Sequence, residues 1–255
     1  MKPSSSFQEF VKLIAILRKK CPWDQKQTHE SLKDNLIEEA YEVVDAIDQH
    51  DYNELKKELG DLLLHIVFQA EMASEKNRFT MDDVIEEISE KLIRRHPHVF
   101  EDVEIANDTD VAENWESIKL KEGKKSILDG IPNHLPALIK AQRMQEKAAN
   151  VGFDWAEWQL AWEKLNEEID EWRHAVEQQN KTEQEDEFGD LLFSIVNVGR
   201  LLHLNAEDSL RASNRKFESR FRFIEDKLAE KNRNITEADL EEMDKLWNEA
   251  KKNGN

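Results

Sequence analysis

The sequence holds a single cysteine, Cys21, in 255 residues. No intrachain disulfide can form, so a disulfide scaffold and a cysteine-built zinc site are both excluded. Glycine (7) and proline (5) are scarce, while Glu, Lys, Leu and Ala abound, which favours helices throughout. Basic residues are outnumbered: 36 Lys+Arg against 55 Asp+Glu gives a formal net charge of −19. Such a chain lacks the basic footprint that a nucleic-acid polymer requires, although a few placed cations suffice for a small anion. No apolar run approaches the roughly 20 residues of a membrane span. The start, Met1-Lys2-Pro3-Ser4-Ser5-Ser6-Phe7, has no apolar signal core behind it. The expectation is a soluble cytoplasmic protein with neither nucleic acid nor membrane as partner.

What is present is core material in helical register. Hydrophobic residues make up 39%, with 7 Trp and 11 Phe, enough to build packed cores. Phe7, Phe10, Val11, Ile14 and Leu17 recur at helical spacing, as do Leu36, Ala40, Val43, Val44 and Ile47, and Val84, Ile85, Ile88 and Leu92. The polar stretch Asp48–Asn53 reads as the turn of a helical hairpin. No run shows the alternation of a strand. The segment GKKSILDGIPNHLP, residues 123–136, carries two Gly and two Pro and reads as a linker. A helix resumes over 137–149, and the next unit opens near Asp154 and Trp155. The division is residues 1–123, a linker with a helix over 124–150, and residues 151–255.

The chain repeats itself. Glu38-Glu39-x-x-Glu42 returns as Glu167-Glu168-x-x-Glu171 (167 − 38 = 129), and Glu58-Leu59-Gly60-Asp61 returns as Glu187-Phe188-Gly189-Asp190 (187 − 58 = 129). No gap separates the two blocks in either copy. Residues three or four apart share a helix face, so a hairpin lets four acids converge from two helices. Unpaired carboxylates this close repel and shift one another's pKa, and a divalent cation relieves that cost. All-oxygen donors suit Mg²⁺, Mn²⁺ or Ca²⁺. The Asp-x-Asp-x-Asp-Gly loop of a Ca²⁺ site is absent, and Mg²⁺ shares carboxylates with phosphates. One such block alone reads as a solvated acidic face; two in register read as a metal site. Glycine inside a helix costs about 1 kcal/mol relative to alanine, so Gly60 and Gly189 point to close helix approach beside the acids. A di-iron carboxylate bundle needs Glu-x-x-His twice. It occurs once, Glu171–His174, opposite Glu42–Asp45, which leaves His174 as an ordinary surface residue.

Basic clusters follow each acidic hairpin: Lys91, Arg94 and Arg95 with His96-Pro97-His98-Val99-Phe100 in the first copy, and Arg215, Lys216 and Arg220 in the second. Arg gives planar, permanent donors for phosphate oxygens, and Lys gives a point charge. Trp115 and Trp247 come later in each copy, with faces that can stack on a base or simply pack. No Gly-x4-Gly-Lys-Ser/Thr phosphate loop is present.

Together these blocks resemble the MazG family of nucleoside triphosphate pyrophosphohydrolases. Cys21-Pro22-Trp23-Asp24, the two acid blocks and Arg94–Phe100 are similar to the family's first copy. Leu128-Asp129-Gly130-Ile131-Pro132, Val151–Trp155, the second pair of acid blocks and Asn214-x-Lys216-Phe217-x-x-Arg220-Phe221 carry the resemblance onward. It implies an all-α enzyme of two tandem helical domains of the four-helix-bundle type. It further implies a homodimer that cleaves NTPs between the α- and β-phosphates with Mg²⁺. Carried over by motif, Glu168, Glu171, Glu187 and Asp190 hold Mg²⁺, while Lys164, Glu167, Glu168, Asp190, Lys216, Arg220 and Trp247 contact the nucleotide. A second site in the first copy takes Glu38, Glu39, Glu42, Glu58, Asp61, Arg94 and Arg95. Glu38 or Glu167 orients or deprotonates the attacking water. The family's Lys four residues before the third metal acid is Glu183 here. Two alternatives stay open: a base-specific dUTP-, dCTP- or phosphoribosyl-ATP-type pyrophosphohydrolase, and a non-catalytic helical protein that binds metal or nucleotide.

Overall fold

Helix boundaries follow side-chain chemistry at each end. The computed structural model describes residues 6–100 and 126–253, and among these no strand occurs. The helices are α1 (Phe7–Lys20), α2 (Lys33–Asp48), α3 (Tyr52–Ser74), α4 (Met81–Arg95) and α5 (Pro97–Phe100). After the segment 101–125 come α6 (Ala137–Ala149), α7 (Trp158–Glu177), α8 (Lys181–Leu201), α9 (Ala206–Glu230) and α10 (Leu240–Lys252). Trp115 lies outside the described residues. Asp51 caps α3 by accepting from the amides of Asn53 and Glu54. Thr80 and Asp83 form a reciprocal box at the start of α4.

The chain divides into two compact units, one within Met1–Ile105 and the other within Ala106–Asn255. In the first, α2 and α3 form the hairpin, and α1 and α4 pack on α3. Its core is Ile14, Leu32, Val67, Phe68 and Met72, with Phe10, Val11, Leu63, Leu64 and Met81 around it. Arg18 is buried against this core, with its guanidinium 5.4 Å from the Phe68 ring centroid. It forks onto Glu75, with Nε 2.9 Å from Oε1 and Nη2 2.7 Å from Oε2.

In the second unit α7 and α8 form the hairpin, α6 packs on α8 and α9, and α10 packs on α9. Helix α6, assigned from sequence to a linker, is therefore built into this unit. Gln145 and Lys147 are buried there and bond to the carbonyls of Phe193 (2.8 Å) and Ile127 (2.9 Å). The core has two parts. Ala161, Leu165 and Val198 close the hairpin, and Ile224, Leu228 and Leu246 join α9 to α10. Helix α7 starts at Trp158 behind the N-cap Glu157, a turn later than the sequence reading. Val151–Asp154 form a turn that closes α6, where Gly152 sits at φ 84° and only glycine is unstrained.

The repeat is written into the backbone. Helix α2 ends at Asp48 and α7 at Glu177 (177 − 48 = 129). Two residues on, His50 and Gln179 both take φ 55°, and Asp51 and Asn180 then cap the next helix through their side chains.

Candidate active site

Each hairpin gathers its acids. In the second unit one carboxylate oxygen from each of Glu168, Glu171 and Glu187 lies within 4.8 Å of the others. Glu168 is buried, Glu187 half-buried and Glu171 exposed. Desolvation, followed by the negative charges of Glu171, Glu168 and Asp190, pushes the Glu187 pKa up. Asp190 lies outside that triple but lines the same cavity as Glu168. One turn before the acids, Lys164 reaches forward along α7 with Nζ 2.7 Å from Glu167 Oε1 and 2.9 Å from Glu168 Oε1. The hydrogen bond to Glu167, then that to Glu168, raises its pKa.

The first unit places Glu39, Glu58 and Asp61 within the same 4.8 Å span. Glu58 is buried, and its pKa is pushed up to about 7 by desolvation, with Glu54 and Glu42 as hydrogen-bonding neighbours. The Glu39 pKa is raised by desolvation and by Glu42 and Asp61. Glu42 stands beside this set rather than within the triple, and Glu38 is exposed. His65 was not singled out by the sequence reading. It is buried with Nε2 3.8 Å from Glu39 Oε1, and its Nδ1 has no hydrogen-bond partner. Desolvation lowers its pKa. Its position one helical turn after Asp61 was the available signal.

The glycines beside the acids do not mark close approach. A Cβ placed on Gly60 or Gly189 meets nothing within 4 Å, because both residues face outward from their own hairpin. The sequence reading of tight helix contact there is corrected.

Lys216 and Arg220 are not among the residues that line the second unit's acid cavity. Lys216 and Arg220 stand on α9, and the Arg220 guanidinium lies 5.4 Å from the Trp247 ring centroid. Phe217 packs on both Phe221 (5.9 Å) and Trp247 (5.3 Å). Arg94 and Arg95 occupy the last turn of α4. His174 is exposed and hydrogen-bonds Gln178 at 2.6 Å. Alongside the acids, a cavity of about 490 Å³ contains Glu168, Asp190 and Lys164. It continues to Gln145, Phe153, Trp155, Asn197 and Arg200. Phe153 and Trp155 belong to the Val151–Trp155 motif noted above, whereas Gln145 on α6 and Asn197 and Arg200 on α8 carry no common sequence signal. Only Asn197, two turns after Asp190 on the same helix face, was within reach of a spacing argument.

The MazG nucleotide pyrophosphohydrolase domain matches residues 27–100 and 158–222, the two acidic hairpins. The chain belongs to the MazG family. It is 46% identical over 240 residues to the nucleoside triphosphate pyrophosphohydrolase of Escherichia coli (strain K12), covering 91% of this chain and 90% of that protein. It is 45% identical over 250 residues to the nucleoside triphosphate pyrophosphohydrolase/pyrophosphatase MazG of Thermotoga maritima, covering 96% and 95%. YabN of Bacillus subtilis (strain 168) matches at 46% over 251 residues, which is 96% of this chain and 51% of that protein. In this MazG-family chain no helix among the described residues is long and apolar enough to cross a membrane.

Proposed function

We propose that this chain is a Mg²⁺-dependent nucleoside triphosphate pyrophosphohydrolase with its active copy in the second unit. It converts an NTP or dNTP and water to the monophosphate and pyrophosphate. The observation that carries this reading is the convergence of Glu168, Glu171 and Glu187 within 4.8 Å, with Lys164 and a cavity beside them. The names of the Escherichia coli and Thermotoga maritima relatives agree with it.

The donor set fits a hard divalent cation. Crowded carboxylates, one of them buried, are stabilised by Mg²⁺, with Mn²⁺ as a substitute. Glu168, Glu171, Glu187 and Asp190 would hold it, and when bound it neutralises triphosphate charge and makes a nearby water more acidic. Glu167, exposed and tied to Lys164, takes the proton of the attacking water. The water oxygen bonds to one phosphorus of the α–β bridge, the bridging oxygen leaves with the other, and pyrophosphate departs. Lys164 offers its ammonium to phosphate oxygens in place of Glu168. Lys216 and Arg220 offset charge on the leaving group, and Trp247 holds Arg220 in place.

The second unit is favoured over the first by one difference. The position that corresponds to Lys164 is Asn35 (164 − 129 = 35), which brings no charge to the phosphates.

A homodimer accompanies this reading. Phe188, Leu192 and Ile195 on α8 are each at least 41% exposed, and their i, i+4, i+7 spacing puts them on one face. Leu59 and Ile66 repeat that exposed face on α3. An apolar stripe of this kind is the mark of a covered surface, and a second copy of the chain covers it. Light scattering behind a sizing column checks this: an Ile195→Asp chain should elute at monomer mass. We place the enzyme in the cytoplasm with its triphosphate substrates.

The deciding assay mixes the protein with single NTPs and dNTPs plus Mg²⁺ and reads pyrophosphate and orthophosphate separately. Pyrophosphate with monophosphate is expected, lost in Glu171→Ala and retained in Glu42→Ala. Loss in Glu42→Ala alone would move the site to the first unit. Nucleotide binding without release under any metal would support the non-catalytic alternative.

A further inference from the structure

One of the residues that line the cavity with the acids has a buried side-chain oxygen without a partner. Gln145 on α6 is 7% exposed, and its Nε2 donates to the Phe193 carbonyl at 2.8 Å. That bond fixes the amide, since a carbonyl oxygen accepts only from the NH₂ side. The other end, Oε1, is buried with no hydrogen-bond partner. A buried acceptor left this way is costly, and this one belongs to a residue that lines a cavity of about 490 Å³.

Another wall offers the opposite polarity. Arg200 is held by Asp154, with Nη1 3.0 Å from Oδ2. It donates to Asn197 Oδ1 from Nε at 3.0 Å and from Nη2 at 2.8 Å. Two donors on the Asn197 oxygen fix this amide too, leaving its NH₂ as the group that can donate. Phe153 and Trp155 add aromatic surface to the lining, and Phe153 is 82% exposed. The size lies in the range of small-molecule pockets.

We infer that this cavity takes the nucleobase of the substrate, with Gln145 Oε1 accepting an N–H from the base edge and Asn197 Nδ2 donating to the acceptor beside it. A flat heteroaromatic ring stacks on Phe153 and Trp155 whatever its identity, and every nucleobase carries an N–H next to an acceptor on its pairing edge. Glu168, Asp190 and Lys164 line the same cavity, so a triphosphate held at the acids carries its base into reach of the remaining lining. The inference thus rests on reading the acids as the triphosphate site. Gln145 and Asn197 become the residues that sense base identity, and neither belongs to the repeated acid motifs.

The test uses pairs of monophosphates that differ only at the base N–H, titrated calorimetrically into the full chain with Mg²⁺. One pair is AMP and purine riboside 5′-monophosphate, which lacks the exocyclic amine. The other is UMP and its N3-methyl derivative. In the tighter-binding series, loss of the N–H should weaken wild-type binding about tenfold, the worth of one hydrogen bond to an otherwise orphaned acceptor. In Gln145→Leu the two members of that pair should bind equally. Equal binding of both pairs to the wild type, which needs no folded variant, overturns the inference, as does a preference that survives in Gln145→Leu. The two readings fail separately. Absence of hydrolysis with the N–H preference intact removes the proposed activity and keeps the base pocket. Hydrolysis with a preference indifferent to Gln145 does the reverse.

Discussion

Lys164 bridges two glutamates of its own helix, with Nζ 2.7 Å from Glu167 Oε1 and 2.9 Å from Glu168 Oε1. Glu168 belongs to the acid triple and is buried. The lysine therefore supplies, in the absence of metal, positive charge that the triple otherwise lacks. It competes with a cation for Glu168 and becomes available to phosphate once that cation binds. Lys164→Met should tighten Mg²⁺ binding without nucleotide by several-fold, and raise the KM for NTP by about tenfold or more, the worth of one charge-assisted bond. Magnesium titration followed by calorimetry, beside steady-state kinetics, checks the opposed signs. Both affinities falling together would mean that Lys164 serves only to hold the helix face.

Glu58 sets a pH dependence in the first unit. Its folded pKa is about 7 against an ordinary 4.5, with burial as the first cause. An acid whose pKa is raised on folding takes up protons in the native state that the unfolded chain has released. Stability from this group is therefore full below about 4.5 and declines as pH rises toward about 7. Glu58→Gln keeps the shape and removes the titration. With chelator present, its Tm should match the wild type near pH 4.5 and exceed it at pH 8. Mg²⁺ should raise the wild-type Tm more at pH 8 than at pH 5, since the cation displaces a proton at low pH. Parallel melting curves across that range would contradict the assignment.

The clustering of the acids is legible in the sequence. The acids lie in blocks with i, i+3 and i, i+4 spacing, and the 129-residue period aligned Glu58 with Glu187, so face and hairpin followed from periodicity. The turn was legible too, since Asp51 and Asn180 are capping residues in register. The cavity wall was not. Gln145, Phe153 and Arg200 come together only because α6 packs on α8, and tertiary packing of three elements leaves no spacing to read. Gly60 and Gly189 misled for a related reason. A helical glycine signals that something is near or that nothing is, and only the surroundings decide which.

Arg18 anchors the first unit's core. It is 8% exposed, forks onto Glu75 and donates from Nη1 to the carbonyls of Asp24 and Gln27, the latter at 3.2 Å. The Glu75 carboxyl is held below its usual range, first by that hydrogen bond. Arg18→Ala orphans two loop carbonyls, exposes the Phe68 face and unpairs Glu75, at a cost of about 2–3 kcal/mol. Glu75→Gln keeps a hydrogen-bond acceptor at a half-exposed position and should cost about 1 kcal/mol or less. Urea unfolding of the full chain separates the two. Equal losses would mean that the ion pair, rather than the guanidinium's bonds to the loop, carries the stability.

Gly60 and Gly189 give the sharpest test of the hairpins' outer faces. Each sits inside a helix, α3 or α8, where alanine is favoured by about 1 kcal/mol. Neither would bring a Cβ within 4 Å of another group. Gly60→Ala and Gly189→Ala should therefore raise the Tm, together by several degrees, since no packing offsets the helix propensity. The neighbours of Gly189 include the exposed Phe188 and Leu192, the stripe assigned above to a second copy of the chain. If that copy packs closely at either glycine, the alanine there should weaken the dimer and forfeit its gain, since Leu59 beside Gly60 belongs to the matching stripe on α3. Melting each variant at two concentrations a hundredfold apart distinguishes these outcomes: an obligate dimer makes Tm rise with concentration, and a lost helix-propensity gain does not.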